Sequence, residues 1–229
     1  MGLPLVFLPG MMCDARLFAP QIAALSAGRT VICADLSGAE TVHELAAGVL
    51  RDAPPRFALA GLSMGGIVAM EVLRQAGDRV ARLALLDTNP LAELPEVQAG
   101  RAAQIDRAMA GELGAMMQDS FIPRYLAAPD AGIEATCRDM ADALGADVFA
   151  RQSRALRDRP DQCDILRDAP KRPTLILCGR EDRLCPVARH DLLHGLMPHA
   201  TYTILEGAGH LPTLEAPEAT TKALSTWLT

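Results

Sequence analysis

Gly61-Leu62-Ser63-Met64-Gly65 sets a serine between two glycines, one two residues before it and one two residues after. An apolar run at 57–61 precedes the motif, and an apolar helical pattern from Met64 to Ala76 follows, so Ser63 falls in a strand-to-helix turn. A turn this sharp crowds the two flanking positions against each other and strains the serine backbone, hence glycine at both. Ser63 then stands at a helix N-terminus, whose dipole favours developing negative charge. The chemistry this fits is nucleophilic attack by a hydroxyl. A phosphate-cradling loop would want a lysine or a G-x-G-x-x-G pattern, and neither is present. A serine hydroxyl needs a base within hydrogen-bond reach, and the base needs a third group to orient it. The candidate base is His210, in Gly207-Ala208-Gly209-His210-Leu211-Pro212. The candidate acids are Asp182, with Glu181 beside it, and Asp87, in Leu86-Asp87-Thr88-Asn89-Pro90.

Other groups of reactive residues read as structural. His190 and His194 are four apart on a predicted helix, but Asp-Leu-Leu lies between them in place of the glutamate-bearing metalloprotease pattern. They are expected on a solvated helix face, and no metal site is expected. Six cysteines show no C-x-x-C and no metal-type spacing, and read as free thiols of a reducing, cytoplasmic compartment. Arg151, Arg154, Arg157, Arg159 and Arg167 cluster in sequence, yet the 91–170 segment holds nine arginines against 14 acids, so pairing with neighbouring acids is the default.

These residues need a scaffold, and the hydrophobic pattern supplies one. Six short apolar runs, at 3–8, 30–34, 57–61, 81–86, 174–178 and 200–205, read as strands buried on both faces, the mark of a parallel sheet covered by helices. Between them lie helical patterns. Thr41-Val-His-Glu44 is a capping-box sequence opening a helix toward Asp52; Met64–Ala76 is apolar and ends at Gly77, a glycine of the left-handed stop type; 187–197 and 215–228 close the chain. The fold class is therefore α/β, a doubly wound, mostly parallel six-stranded sheet. From 91 to 170 no strand is expected, only helical pieces, too long for one crossover connection. The expected organisation is a core of 1–90 with 171–229, and a helical cap insertion of 91–170.

Half of the residues are hydrophobic and the net charge is −6, without any Lys/Arg run. This excludes wholesale disorder and argues against nucleic-acid or anionic-membrane binding. The apolar start lacks a basic region and is interrupted by Pro4 and Pro9, so no signal peptide is expected, and no apolar run is long enough to span a bilayer. Eight aromatic residues stand against ten methionines. The expected pocket is thus aliphatic and thioether-lined, adaptable to flexible acyl chains and without aromatic shelves.

With these motifs in order, the whole chain resembles the α/β-hydrolase superfamily, specifically its small cap-bearing, esterase-like members. Leu8-Pro9-Gly10-Met11 stands where that family usually has His-Gly-x; Gly61–Gly65, Gly179-Arg180-Glu181-Asp182-Arg183-Leu184-Cys185-Pro186 and Gly207–Pro212 follow in sequence. The resemblance implies a Ser63–His210–Asp182 triad, with Asp87 as the alternative acid, and an oxyanion hole made by the backbone N–H groups of Met11 (Met12 as second choice) and Met64. Pro9 in place of histidine puts the geometry of the oxyanion loop in question. The resemblance further implies a start at the strand leading into that loop, without the leading hairpin many relatives carry. Met12, Met116, Met117 and Leu211 are candidate pocket residues. The implied reaction is cleavage of a carboxylic ester or related acyl bond of a small molecule through an acyl-Ser63 intermediate, with no cofactor. The same triad serves C–C hydrolysis, lyase, lactonase and acyl-transfer chemistry in other members, and a non-catalytic receptor on this fold would normally lack a triad member. A carrier-protein-tethered substrate, met by arginines of the insertion, is a further possibility the resemblance raises. Oligomeric state is not readable.

Overall fold

Each of the six apolar runs forms a strand in the computed structural model, which describes residues 2–229. The strands are β1 Leu5–Leu8, β2 Val31–Cys33, β3 Phe57–Leu62, β4 Val80–Leu86, β5 Thr174–Gly179 and β6 Thr201–Leu205. They form one sheet in the order β2-β1-β3-β4-β5-β6, and every neighbouring pair is parallel. All six C-terminal ends therefore lie along one edge. The chain runs from β1 outward to β2 and then returns to start β3 on the other side of β1. That reversal makes a crevice at the ends of β1 and β3, the place where open α/β sheets bind ligands.

Helices α1 Ala19–Leu25 and α11 Pro217–Trp227 pack together on one face; α2 Val42–Asp52, α3 Met64–Ala76 and α9 Val187–Leu196 cover the other. Along β1 the faces alternate, Leu5 and Phe7 to the first layer, Val6 and Leu8 to the second, all at most 1% exposed. Double-sided burial is why the strands read as unbroken apolar runs. Thr41 caps α2 as its sequence predicts, its hydroxyl oxygen accepting from the Glu44 N–H at 3.1 Å. Gly77 departs from expectation: with φ −61° it is right-handed and leads α3 into a short 3₁₀ turn. The predicted helix at 215–228 forms as α11, starting at Pro217, whose ring suits a first helical position, and a separate short α10, Pro212–Glu215, precedes it.

Between β4 and β5 come α4 Pro95–Arg107, α5 Leu113–Met116, α6 Ile122–Tyr125, α7 Ala131–Arg157 and α8 Cys163–Asp168, and no strand among the described residues. Gly145, at φ 79° and ψ 175°, splits α7 into two helical pieces. No helix of the described residues is long and apolar enough to cross a membrane.

Candidate active site

The turn after β3 is built as tightly as the glycines require. Ser63 has φ 55° and ψ −117°. A Cβ on Gly61 would collide with the Gly65 carbonyl, and one on Gly65 with the Leu8 carbonyl of β1. One on Gly66 would sit 2.6 Å from the Thr88 side chain. Thr88, just past β4, braces the turn: its hydroxyl donates to the Ser63 carbonyl at 2.7 Å. The Thr88 N–H in turn donates to Nε2 of His190 at 3.1 Å. Here the structure corrects the expected solvated face, because His190 is fully buried and only His194, stacked near Tyr202, is partly exposed.

Ser63, His210 and Asp182 form a continuous hydrogen-bonded run. Ser63 Oγ lies 2.8 Å from His210 Nε2, and His210 Nδ1 lies 2.8 Å from Asp182 Oδ2. The other Asp182 oxygen accepts from the Leu184 and Cys185 N–H groups at 2.8 and 3.0 Å. Burial opposes ionisation of Asp182, but His210 and these N–H groups outweigh it and hold its pKa below the ordinary carboxylate value. Asp87 is placed differently. At φ 42° and fully buried, it turns Oδ1 to the Gly179 N–H at 2.9 Å, tying β4 to β5. Burial, and then the adjacent Asp182, push its pKa well up, and its carboxyl makes no hydrogen bond to His210. Glu181 likewise makes no hydrogen bond to His210; its N–H donates to the Ala208 carbonyl. Donor atoms of Asp182, Cys185 and His210 lie within 4.8 Å of one another. That set does not suit a cation, because one Asp182 oxygen is joined to His210 and the other is taken by the Leu184 and Cys185 N–H groups.

The loop after β1 lies directly on the serine: a Cβ on Gly10 would be 3.5 Å from Ser63 Cβ. Met12, at φ 56°, donates its N–H to Gln152 Oε1 at 2.8 Å, and Gln152 Nε2 donates to the Leu36 carbonyl at 3.1 Å. Gln152, buried on α7, thus anchors the loop across 140 residues. The N–H groups of Met11 and Met64 have no acceptor among the described residues. The loop bearing His210 is fastened too. Glu215 accepts from Gly209 N–H at 2.9 Å, Leu211 N–H at 3.1 Å and Ala127 N–H at 2.6 Å, and the His210 N–H donates to the Tyr125 carbonyl at 2.6 Å. No local sequence signal marks the roles of Thr88 and Gln152, whose partners lie far along the chain.

A cavity of about 290 Å³ opens on Ser63 and His210. Met11, Met64 and Leu211 line it; Met12, Met116 and Met117 do not, being packed into the core with Met140 and Phe149. The wall is not free of aromatics: Phe121 and Tyr125 both reach it from the segment between β4 and β5. The five clustered arginines are engaged within the chain. Arg151 donates to the Ser37 carbonyl, and Arg154, Arg157, Arg159 and Arg167 pair with Glu40, Asp158, Glu93 and Asp164. All six cysteines are free thiols.

Comparison with known proteins agrees with this architecture. The chain is 30% identical over 200 residues to a pimeloyl-[acyl-carrier protein] methyl ester esterase of Salmonella newport (strain SL254), covering 82% of this chain and 76% of that protein. Among solved structures, a thermophilic esterase from Thermogutta terrifontis, described as malate bound, superposes with a TM-score of 0.92 at 28% identity, covering 100% of this chain and 90% of that one. The enol-lactonase from Burkholderia xenovorans LB400 gives 0.89 at 26%, covering 100% and 92%. The sequence model of the alpha/beta hydrolase family matches residues 5–223. Six parallel strands, the serine turn and a match over nearly the whole length lead to one statement: the chain belongs to the alpha/beta hydrolase family.

Proposed function

We propose that the protein is a serine hydrolase that cleaves a carboxylic ester or related acyl bond of a small molecule through an acyl-Ser63 intermediate. The observation that carries this reading is the unbroken run Ser63 Oγ–His210 Nε2 and His210 Nδ1–Asp182, opening on a cavity. Ser63 Oγ attacks the acyl carbon while its proton passes to His210 Nε2. Asp182, its pKa held below the ordinary carboxylate value, accepts a hydrogen bond from Nδ1–H and stabilises the resulting imidazolium. The oxyanion takes the free N–H groups of Met11 and Met64, each contributing on the order of 3 kcal/mol to the transition state. His210 then protonates the leaving alcohol, and water enters by the same route to release the acid. Segment 91–170 serves as a cap over a core of 1–90 and 171–229. No cofactor is needed for any step. Six free thiols fit a reducing, cytoplasmic setting.

Two relatives bear on the substrate. The esterase of Salmonella newport is named for an ester on an acyl-carrier protein. Transfer of that substrate to this chain is weakened by the arginines of α7, which are already held by Ser37, Glu40 and Asp158. The likeness to an enol-lactonase keeps a cyclic ester as a second reading, since a lactone asks the same of Ser63 and His210.

A fluorophosphonate reaction followed by intact mass tests the reading. One adduct is expected, absent in Ser63→Ala, with p-nitrophenyl ester hydrolysis falling at least about 1,000-fold in that variant. Folded protein that takes no adduct would remove Ser63 as the nucleophile. Labelling without turnover of any linear ester would turn the assignment to lactones or to C–C and elimination chemistry.

A further inference from the structure

The charge on the cavity wall is lopsided. Its charged lining residues are Arg101, Arg124, Arg159 and Arg189 against one carboxylate, Glu93. Glu93 is shared by two of them. Arg101 Nε and Nη2 donate to its two oxygens at 2.9 and 2.8 Å, and Arg159 Nη1 donates to Oε1 at 2.7 Å. All three side chains are withdrawn from water, with exposures of 10% for Arg101, 11% for Arg159 and 3% for Glu93. Two guanidiniums on one carboxylate leave a whole positive charge in a wall that water barely reaches. Such a charge is expensive unless a counter-charge meets it.

The hydrogen bonding shows where the counter-charge is missing. Arg159 spends its remaining reach on the Leu91 and Leu156 carbonyls. Arg101 Nη1, by contrast, meets only the Met11 thioether, at 3.8 Å. A thioether is a weak acceptor and no match for a buried guanidinium. Arg101 and Met11 both line the cavity that opens on Ser63, so this spare donor lies in the wall of that cavity. Arg124 and Arg189, also on the wall, have no side-chain acceptor among the described residues and add to the same field. Burial pulls the Arg159 pKa down against the effect of Glu93, and the nearby Arg101 adds to the lowering.

We propose that the substrate carries a carboxylate besides the bond that is cleaved, and that this carboxylate seats on Arg101 within the Arg101–Glu93–Arg159 group. The natural substrate class is then a monoester of a short dicarboxylic acid, or a lactone that bears a free carboxylate. Arginine suits this task because its planar fork offers directed donors to a carboxylate and stays charged when buried. The inference rests on the serine-hydrolase reading above and deepens it.

The test compares two substrates of matched length on the whole protein: the p-nitrophenyl monoester of glutaric acid, which is anionic, and p-nitrophenyl valerate, which is neutral. The anionic ester is expected to have at least about tenfold higher kcat/KM, through a lower KM. In Arg101→Met the anionic-to-neutral ratio should fall at least about tenfold, while Glu93 keeps Arg159 as a partner. If that variant does not fold, the unaltered protein still decides. Glutarate should inhibit valerate hydrolysis competitively and the uncharged diamide of glutaric acid should not. Equal kcat/KM for the two esters, an unchanged ratio in folded Arg101→Met, or equal inhibition by acid and diamide would each overturn the inference. Fluorophosphonate labelling and turnover of the neutral ester report separately on Ser63, so the two readings can fail independently.

Discussion

Met12, Ser63 and Asp87 are the residues other than glycine with positive φ among those described, and they stand just past β1, β3 and β4. A side chain held in that region costs roughly 1–3 kcal/mol, and it persists only where surrounding contacts over-determine it. Those contacts are visible: Gln152 grips Met12, Thr88 grips Ser63 and the Gly179 N–H grips Asp87. The strain at Ser63 is separable from its hydrogen bond to His210. Ser63→Ala and Ser63→Gly both lose that bond, but only glycine is free of the Cβ penalty. The glycine variant should therefore be more stable than the alanine variant by about 1 kcal/mol, read as a higher thermal midpoint, with both inactive. An alanine variant with the higher midpoint would mean that the turn holds no strain at this position, since glycine alone carries the larger unfolded-state entropy. The same geometry explains why the serine was readable without a structure. A Cβ at Gly61 or Gly65 would meet backbone carbonyls, which cannot move aside, so the glycines had to be there. Asp182 and Asp87 were harder to separate: both follow strands, and only the direction each carboxyl turns tells them apart.

Helix α9 and the β4 end meet through His190, whose Nε2 takes the Thr88 N–H while Thr88 holds the serine turn. Burial lowers the His190 pKa from 6.5 to about 4, against the opposing pull of Asp182. Between these values the unfolded chain takes up a proton that the folded one refuses. Stability therefore declines as pH falls from 6.5 toward 4, by about 3 kcal/mol in full, and is unaffected by this group above 6.5. His190→Gln should flatten that part of the curve, measured as urea midpoints from pH 7 to 4.5; an unchanged slope would assign the decline to other groups. This histidine was misread from sequence because spacing of four with His194 suits a polar face equally well. Its hydrogen-bond partner inside the protein is an amide 102 residues away, out of reach of any local pattern. Strands fared better, since burial on both faces leaves a signature within the strand itself. Methionines 116 and 117 show the opposite limit: apolar helical positions say that a side chain is buried, not whether it meets the core or a cavity. Phe121 and Tyr125, few as the aromatics are, were invisible as cavity walls for the same reason.

At the scale of the whole molecule, His210, the proposed base, is held from two sides. Its loop hangs from β6, yet its backbone is bonded to the segment between β4 and β5 at Tyr125 and, through Glu215, at Ala127. Gly209 is pressed so closely there that a Cβ would meet the Tyr125 carbonyl at 2.5 Å. The Tyr125–Ala127 stretch therefore cannot lift away as a rigid flap without taking the imidazole's support with it. Passage of substrate and product has to use movement elsewhere around the cavity, for instance at α4, where Leu94 and Val97 combine exposure with a place on its wall. The amide hydrogen of His210 becomes a gauge of this coupling, because solvent deuterium reaches it only when the Tyr125 carbonyl lets go. Its exchange should share one opening free energy with the Ala127 amide, below that of the β3 and β4 amides. Exchange at His210 that is fast while Ala127 stays protected would mean the two sides part freely. If the two amides open together, the His210 loop and residues 125–127 are one opening unit, although β6 and the segment between β4 and β5 lie far apart along the chain.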